Sequence, residues 1–266
     1  MVLWADRALH VLHLPQPAPV PAPSPSPSPS PSPSPSPSPA AFDPLTYDWD
    51  ANVGGAISPI VANVPTVDHL KIDAVGYAVD AVWSDPGPMT VSYCDLTSEE
   101  DGLGFNGAGP QLVEFTRVRQ YKLAAGAHGD GIQVMKGSNK TIRNCYFWNF
   151  SNAAIFIQGD QGPIDHITVD GCYLHAVGWT IYVRWTTNGQ PTFVDITNNK
   201  FARTTAVISV GNGVWGNGPK FVSTAAKRQA AIDAGNPAAA EWIVWSGNTW
   251  ADDGSVCLPQ APYIVE

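Results

Sequence analysis

The sequence predicts an all-β fold, a right-handed parallel β-helix solenoid, from two repeating patterns. In the first, an apolar residue, two spacers, a small or polar anchor, one spacer and a second apolar residue recur with anchors 22, 29, 27 and 27 residues apart. In the second, an apolar-x-apolar triplet follows most anchors by nine or ten residues. The anchor segments are 91–96, 113–118, 142–147, 169–174 and 196–201, and the triplets are 103–105, 132–134, 155–157, 181–183 and 208–210.

Stacked coils solve the problem that such short strands cannot close a core alone. Each coil lies about 4.8 Å along the axis from the previous one, so that its strands pair in parallel and its inward side chains form columns. Chemically similar residues fall into each predicted column. The apolar columns are Val91, Val113, Ile142, Val169, Ile196 and Leu96, Val118, Phe147, Leu174, Phe201, and the anchor column is Cys94, Thr116, Cys145, Cys172, Asn199.

The rest of the chain divides around this solenoid. We predict a docking peptide at 1–14, a Pro/Ser-rich polyproline linker at 15–41, an N-terminal cap at 42–66, the β-helix at 67–210, a loop–helix insertion at 211–242, and a last coil with the C-terminal cap at 243–266. The first coil begins near Val67, where the anchor pattern first fits. Within the insertion, Ser223 or Thr224 caps a short helix that Gly235 ends.

The N-terminal peptide is apolar, but Asp6 and Arg7 interrupt it and no small-residue cleavage site precedes the prolines. We therefore expect a docking peptide and not a signal peptide. Ser-Pro repeats eight times from Ser24 to Pro39, and the linker is expected to form an extended polyproline II rod of roughly 80 Å. The side chains expected to fill a groove on another protein are Val2, Leu3, Trp4, Leu9, Val11, Leu12 and Leu14.

Composition and charge narrow the classes of function. A net charge of −9 argues against nucleic acid as a partner, because phosphate binding needs clustered Lys and Arg. No apolar run reaches the roughly 20 residues that span a bilayer, so we expect no membrane span. Cys94, Cys145 and Cys172 share an inward column, where thiols act as small apolar fillers, and no spacing matches a zinc site. We expect no disulfide, metal or cofactor.

Three runs carry a resemblance to a known family. They are His128-Gly-Asp-Gly-Ile-Gln133, Gly137-Ser-Asn-Lys-Thr-Ile-Arg-Asn-Cys145 and Gly162-Pro-Ile-Asp-His-Ile-Thr-Val-Asp-Gly171. Over roughly residues 67–255 the chain resembles the pectate-lyase-like right-handed β-helix proteins, and more narrowly those of actinobacteria and of the tails of their phages. The resemblance implies the fold and leaves the activity open, because these proteins include lyases, hydrolases, epimerases and inert binding shafts.

The outward residue of each triplet is the first candidate for ligand binding. Phe156 and Tyr182 fall on adjacent coils, with Gln133 and Arg184 close by. Aromatic faces flanked by polar groups suit pyranose rings, because the C–H face of a sugar packs on the ring while hydroxyls reach the polar groups. The sequence equally allows these aromatics to lie under a loop or against a neighbouring subunit.

Asp101 and Asp130 are the candidate catalytic pair, with His128 as a proton carrier or orienter. Each aspartate precedes a Gly-apolar-x-apolar run, so both are expected in one column on consecutive coils. Two close carboxylates match the acid and nucleophile of a retaining glycosidase. The alternative is structural, since Asp-Gly is common in turns and a turn aspartate binds backbone N–H groups.

Two classes of function follow from these features. In the first, the chain is a phage virion protein, a tail spike or minor tail protein, that docks to a tail or baseplate protein through residues 1–14 and binds host cell-wall polysaccharide. A homotrimer is expected for such a spike. In the second, it is a secreted, extracellular polysaccharide lyase or glycoside hydrolase. The docking peptide followed by a stiff linker favours the first class.

Overall fold

The computed structural model describes residues 42–51, 56–57, 61–62, 64–75, 82–84, 87–107, 109–122, 125–126, 128–184, 186, 188–203, 207–210, 220–259 and 263–265. The predicted docking peptide at 1–14 and the polyproline linker at 15–41 lie outside these residues. Within the described ranges, no helix is both long enough and apolar enough to cross a membrane.

The chain forms a parallel β-helix with three sheets, and successive strands pass from sheet 3 to sheet 1 to sheet 2 in each coil. The described strands pair in parallel within each sheet. Sheet 1 contains β1 (Ala56–Ile57), β4 (Lys71–Asp73), β7 (Asp95–Ser98), β10 (Arg117–Gln120), β13 (Tyr146–Phe150), β16 (Tyr173–Ala176), β19 (Lys200–Phe201) and β23 (Thr249–Trp250). Sheet 2 contains β2 (Val61–Ala62), β5 (Val82–Ser84), β8 (Leu103–Phe105), β11 (Ile132–Val134), β14 (Ala153–Gln158), β17 (Trp179–Arg184) and β20 (Val207–Val210). Sheet 3 contains β3 (Thr66–Asp68), β6 (Met89–Ser92), β9 (Gln111–Glu114), β12 (Gly137–Arg143), β15 (Ile164–Asp170), β18 (Thr192–Thr197), β21 (Lys220–Ser223), β22 (Ile243–Ser246) and β24 (Tyr263–Val265).

The predicted register is confirmed along the solenoid. Val113 pairs with both Val91 and Ile142 in sheet 3, and Val118 pairs with both Leu96 and Phe147 in sheet 1. These apolar columns are fully buried and form the centre of the core. The start of the β-helix lies upstream of the predicted Val67, because β1 and β2 already pair with the next coil.

The anchor residues form one buried column at the corner between sheets 3 and 1, as predicted. Asn199 and Asn248 tie consecutive coils together, since each amide oxygen accepts the backbone N–H of the anchor one coil earlier, at 2.9 Å. All four cysteines are free buried thiols. The residue before each anchor has a positive φ, and the members of this corner column are His69, Tyr93, Phe115, Asn144, Gly171, Asn198 and Gly247.

The C-terminal insertion departs from a simple loop and helix. In sheet 3, β22 lies between β18 and β21, although β21 comes before β22 in the chain. The connection holds the predicted helix, α1 (Ala225–Asp233), capped by the Thr224 side chain, and a 3₁₀ turn (Pro237–Glu241). Arg228 of α1 donates to Asp195 of β18 and so attaches the helix to the side of the solenoid.

Residues 42–51, which we name the strap, lie beside sheet 1 and contact coils well away from the first one. The Asp50 carboxylate pairs with Arg117 at 2.6 Å and the Asp43 carboxylate with Lys200 at 2.8 Å. Trp49 is buried, with its ring 6.2 Å from that of Tyr146. The prediction of a cap over 42–66 is therefore corrected: the strap covers the side of the solenoid, and 56–57 and 61–62 supply its first paired strands.

Candidate functional site

The outward row of sheet 2 places the predicted glycan-binding residues together. Gln133 pairs in register with Phe156, and Phe156 with Tyr182, so the three side chains lie on consecutive coils. The rings of Phe156 and Tyr182 stack with centroids 5.1 Å apart and planes inclined by 18°. The rings stack because residues in register on neighbouring parallel strands point the same way.

The two rings differ in their exposure to solvent. Tyr182 is only 6% exposed, and the tilted ring of Trp179 lies 5.0 Å from it. The expectation that Tyr182 offers its face to a sugar is therefore wrong; its ring stacks against Phe156 on the neighbouring coil. Phe156, Gln133 and Arg184 are half-buried and remain at the surface of sheet 2.

A polar rim borders Phe156 at the carboxyl ends of these strands. Gln158 pairs with Arg184 across β14 and β17, and its amide nitrogen donates to both oxygens of Asp160 at 2.6 and 2.5 Å. Arg184 donates to the Gln158 amide oxygen at 3.4 Å. The rim thus places a carboxylate, a buried amide and a guanidinium near the Phe156 ring. Sequence reasoning placed Arg184 here and missed Gln158, although each directly follows its triplet and the two are in register.

Asp101 and Asp130 lie on consecutive coils, at the turns that lead into sheet 2, as the spacing predicted. The Asp101 carboxylate accepts the backbone N–H of Asp130 at 2.7 Å. Asp130 in turn accepts the backbone N–H of Ala153 at 2.8 Å and the side-chain N–H of Asn152 at 2.9 Å. Each carboxylate therefore fixes the turn of the next coil.

This geometry favours the structural role for the pair. Asp130 is 0% exposed and Asp101 is 5% exposed, so a polysaccharide chain cannot reach the carboxylate of Asp130. A side chain at Gly131 would overlap the Ala154 carbonyl and the Phe147 ring. The coils pack so closely here that glycine is needed after Asp130. The catalytic assignment of Asp101, Asp130 and His128 loses its geometric basis.

The same trio is close enough to hold a metal ion, which the sequence did not predict. One ligand atom from each of Asp101, His128 and Asp130 lies within 4.8 Å of the others. His128 is exposed, with its Nδ1 3.7 Å from Asp130. The bonds from backbone N–H groups to both carboxylates already give the acidic residues a structural task, so the trio alone does not define a metal centre.

Stacked coils whose strands form three parallel sheets around inward apolar columns define the class of β-solenoid proteins. A family model described as the right handed beta helix region matches residues 62–225, more than half of the chain, and the chain belongs to that family. Comparison with curated proteins found no match. Comparison with solved structures found none either.

Proposed function

We propose that this chain is a polysaccharide-binding β-helix whose sheet 2 face contacts host cell-surface glycan. The observation that carries the proposal is the outward Phe156 ring, backed by Tyr182 at 5.1 Å and bordered by Gln133 and Arg184. A sugar C–H face packs on such a ring, and amide and guanidinium groups exchange hydrogen bonds with its hydroxyls. Because the coils fix these side chains before binding, little conformational entropy is lost.

The proposal extends to a place in a phage tail. The right-handed β-helix fold is compatible both with tail spikes and with polysaccharide lyases. The order of apolar peptide (1–14), proline-rich linker (15–41) and β-helix supports the tail, since it provides a docking element, a stiff spacer and a binding domain. In this proposal, three chains dock symmetrically to a tail or baseplate protein through residues 1–14.

Deleting residues 1–41 tests this docking step. The truncated chain is expected to remain folded, because every strand of the described β-helix follows residue 41, and to be absent from purified phage particles. Normal incorporation of the truncated chain would contradict docking through residues 1–14.

A binding screen with a parallel assay of cleavage tests the function itself. The full chain is applied to a panel of bacterial cell-wall polysaccharides, and release of reducing ends and of unsaturated products is measured with the wild type and with Asp130→Asn. We expect binding of at least one polysaccharide and no release by either protein. Release by the wild type that Asp130→Asn abolishes, without loss of folding, would establish the alternative, a polysaccharide hydrolase or lyase; absence of all binding would contradict the proposal.

A further inference from the structure

Sheet 1 presents a second aromatic surface that none of the sequence patterns predicted. Its outward residues form two rows along the axis. The strap covers the first row through Arg117, Tyr146 and Lys200. The second row lies two residues further along each strand and contains Trp148, which is 41% exposed although it sits in the middle of β13.

Trp148 faces outward by the ordinary alternation of β13, in register with Arg119, and a local distortion of the strand follows it. The register between β13 and β16 shifts between Phe147 and Phe150, and Asn149 has a φ of +70°. A positive φ at a residue other than glycine is costly and persists only where surrounding contacts hold it. Asn149 has these contacts: its backbone N–H donates to His175 Nδ1 at 3.1 Å and its side chain donates to the Gln120 carbonyl at 3.3 Å. Such irregularities are common beside binding sites.

His175 continues the surface on the next coil. Its ring stacks on that of Trp148, with centroids 5.8 Å apart and planes inclined by 27°. Burial lowers the pKa of His175 below its ordinary value of 6.5, so the imidazole is neutral at pH 7. Because Nδ1 accepts the Asn149 N–H, the remaining proton lies on Nε2. The surface therefore combines an aromatic face with a fixed N–H donor.

The charges beside this surface are already paired. Arg117 and Arg119 both donate to the buried Asp95 carboxylate, at distances from 2.7 to 3.0 Å. Lys122 pairs with Glu99 at 3.1 Å. A carboxylate ligand would have to compete with these pairs, whereas a neutral ligand that offers hydroxyl groups would not.

The size of the patch argues against a protein partner. Its exposed apolar side chains are Trp148, Tyr121 and Val177. Two aromatic rings and a valine offer at most about 600 Å², and each partner in a stable protein interface buries about 800 Å². A few side chains in a row along the axis fit a narrow, extended ligand better.

We infer that Trp148 and His175 form a second carbohydrate site, a platform for a neutral glycan chain that runs along the β-helix axis. The inference rests on the proposed function and adds a second face to it. One sugar packs on the Trp148 indole, and a hydroxyl of the same chain accepts the His175 Nε2–H.

The test is a titration of the ¹⁵N-labelled full chain with maltohexaose, cellohexaose, chitohexaose and the acidic hexagalacturonate. The Trp148 indole N–H signal is assigned by its disappearance in Trp148→Phe. We expect at least one neutral hexasaccharide to shift this signal, and Trp148→Ala to weaken its binding about tenfold, with a smaller loss for His175→Ala. Val256→Ala, an exposed apolar change in the C-terminal region, serves as the matched control and is expected to bind like the wild type.

The two proposals fail in different ways. If a neutral sugar binds, leaves the Trp148 signal unmoved and is weakened only by Phe156→Ala, the platform is wrong and the sheet 2 site stands. If hexagalacturonate shifts the Trp148 signal at lower concentration than any neutral sugar, the platform exists and its neutral chemistry is wrong. If none of the four sugars binds and the polysaccharide panel is also negative, the proposed function fails and the platform fails with it.

Discussion

At the scale of single residues, Lys140 is a buried charged group whose hydrogen bonds join two coils. Its ammonium group donates to the Gly107 carbonyl, to the Gly109 carbonyl at 3.0 Å and to the Gln111 amide oxygen at 2.5 Å. Burial lowers the pKa of Lys140 to about 8, which leaves the group charged at neutral pH. These bonds hold the loop after β8 against the next coil.

Replacing this ammonium group is expected to destabilise the fold. Lys140→Met keeps much of the side-chain volume but leaves buried acceptors without their donor, at a net cost of about 2 kcal/mol in the free energy of unfolding. Urea unfolding at pH 7 measures this loss. The control is Lys227→Met on the exposed side of α1, expected to stay within about 0.5 kcal/mol of the wild type. Equal unfolding midpoints for both variants would show that the Lys140 contacts add no stability.

The hydrophobic pattern could not have predicted this lysine. Position 140 is inward and pairs with Gln111 and Ile167, so periodicity alone assigns it to the core. Its acceptors come from residues 29 to 33 positions earlier, and only the stacking of coils brings them together. A buried polar side chain is specified by distant partners, whereas a buried apolar one is specified by spacing.

At the scale of elements, two carboxylates of the strap, Asp43 and Asp50, form ion pairs that attach it to sheet 1. The hydrogen bond from Lys200 is the largest cause that lowers the pKa of Asp43, and the bond from Arg117 does the same for Asp50. Groups with a lowered pKa stabilise the docked strap above their ordinary value of 3.8, and this contribution is lost as the pH falls through the lowered pKa. Docking of the strap is therefore expected to weaken only below about pH 4.

A double variant reproduces this loss at neutral pH. In Asp43→Asn/Asp50→Asn, backbone amides of residues 42–51 are expected to lose protection from hydrogen exchange at pH 7, while the urea midpoint of the β-helix changes little. Asp252→Asn, which alters an exposed ion pair with Arg203, provides the control. Full protection of 42–51 in the double variant would mean that the aromatic contacts of Trp49 hold the strap without the ion pairs.

The strap also marks a limit of sequence reasoning about elements. Strand positions followed from local alternation, and helix α1 followed from its cap and its glycine stop. The partners of the strap lie 67 and 157 residues away in the sequence, at Arg117 and Lys200. No local pattern encodes such contacts, because these ion pairs join segments that only the stacking of coils brings together.

At the scale of the whole β-helix, repetition makes the architecture predictable and the site difficult to predict. Each coil contacts mainly its neighbours, so one correct alignment of the repeats fixes the register of the three sheets. That alignment also brought Gln133, Phe156 and Tyr182 into one row. It could not give their exposure, which depends on particular neighbours: the Trp179 ring lies against Tyr182, and Asn152 and Ala153 of the next coil bind the Asp130 carboxylate. The bulge at Asn149 was missed because it breaks the repeat.

Calorimetry of one substitution shows whether the Phe156 ring on sheet 2 binds glycan. The full chain is titrated with the polysaccharide fragment that the screen shows to bind most tightly. Phe156→Leu keeps an apolar side chain and removes the flat ring, and Val256→Ala is the control. We expect Phe156→Leu to lose about tenfold in affinity, or ~1.4 kcal/mol, and Val256→Ala to bind like the wild type. Unchanged affinity in a Phe156→Leu protein that unfolds at the wild-type urea concentration would contradict glycan binding by this ring.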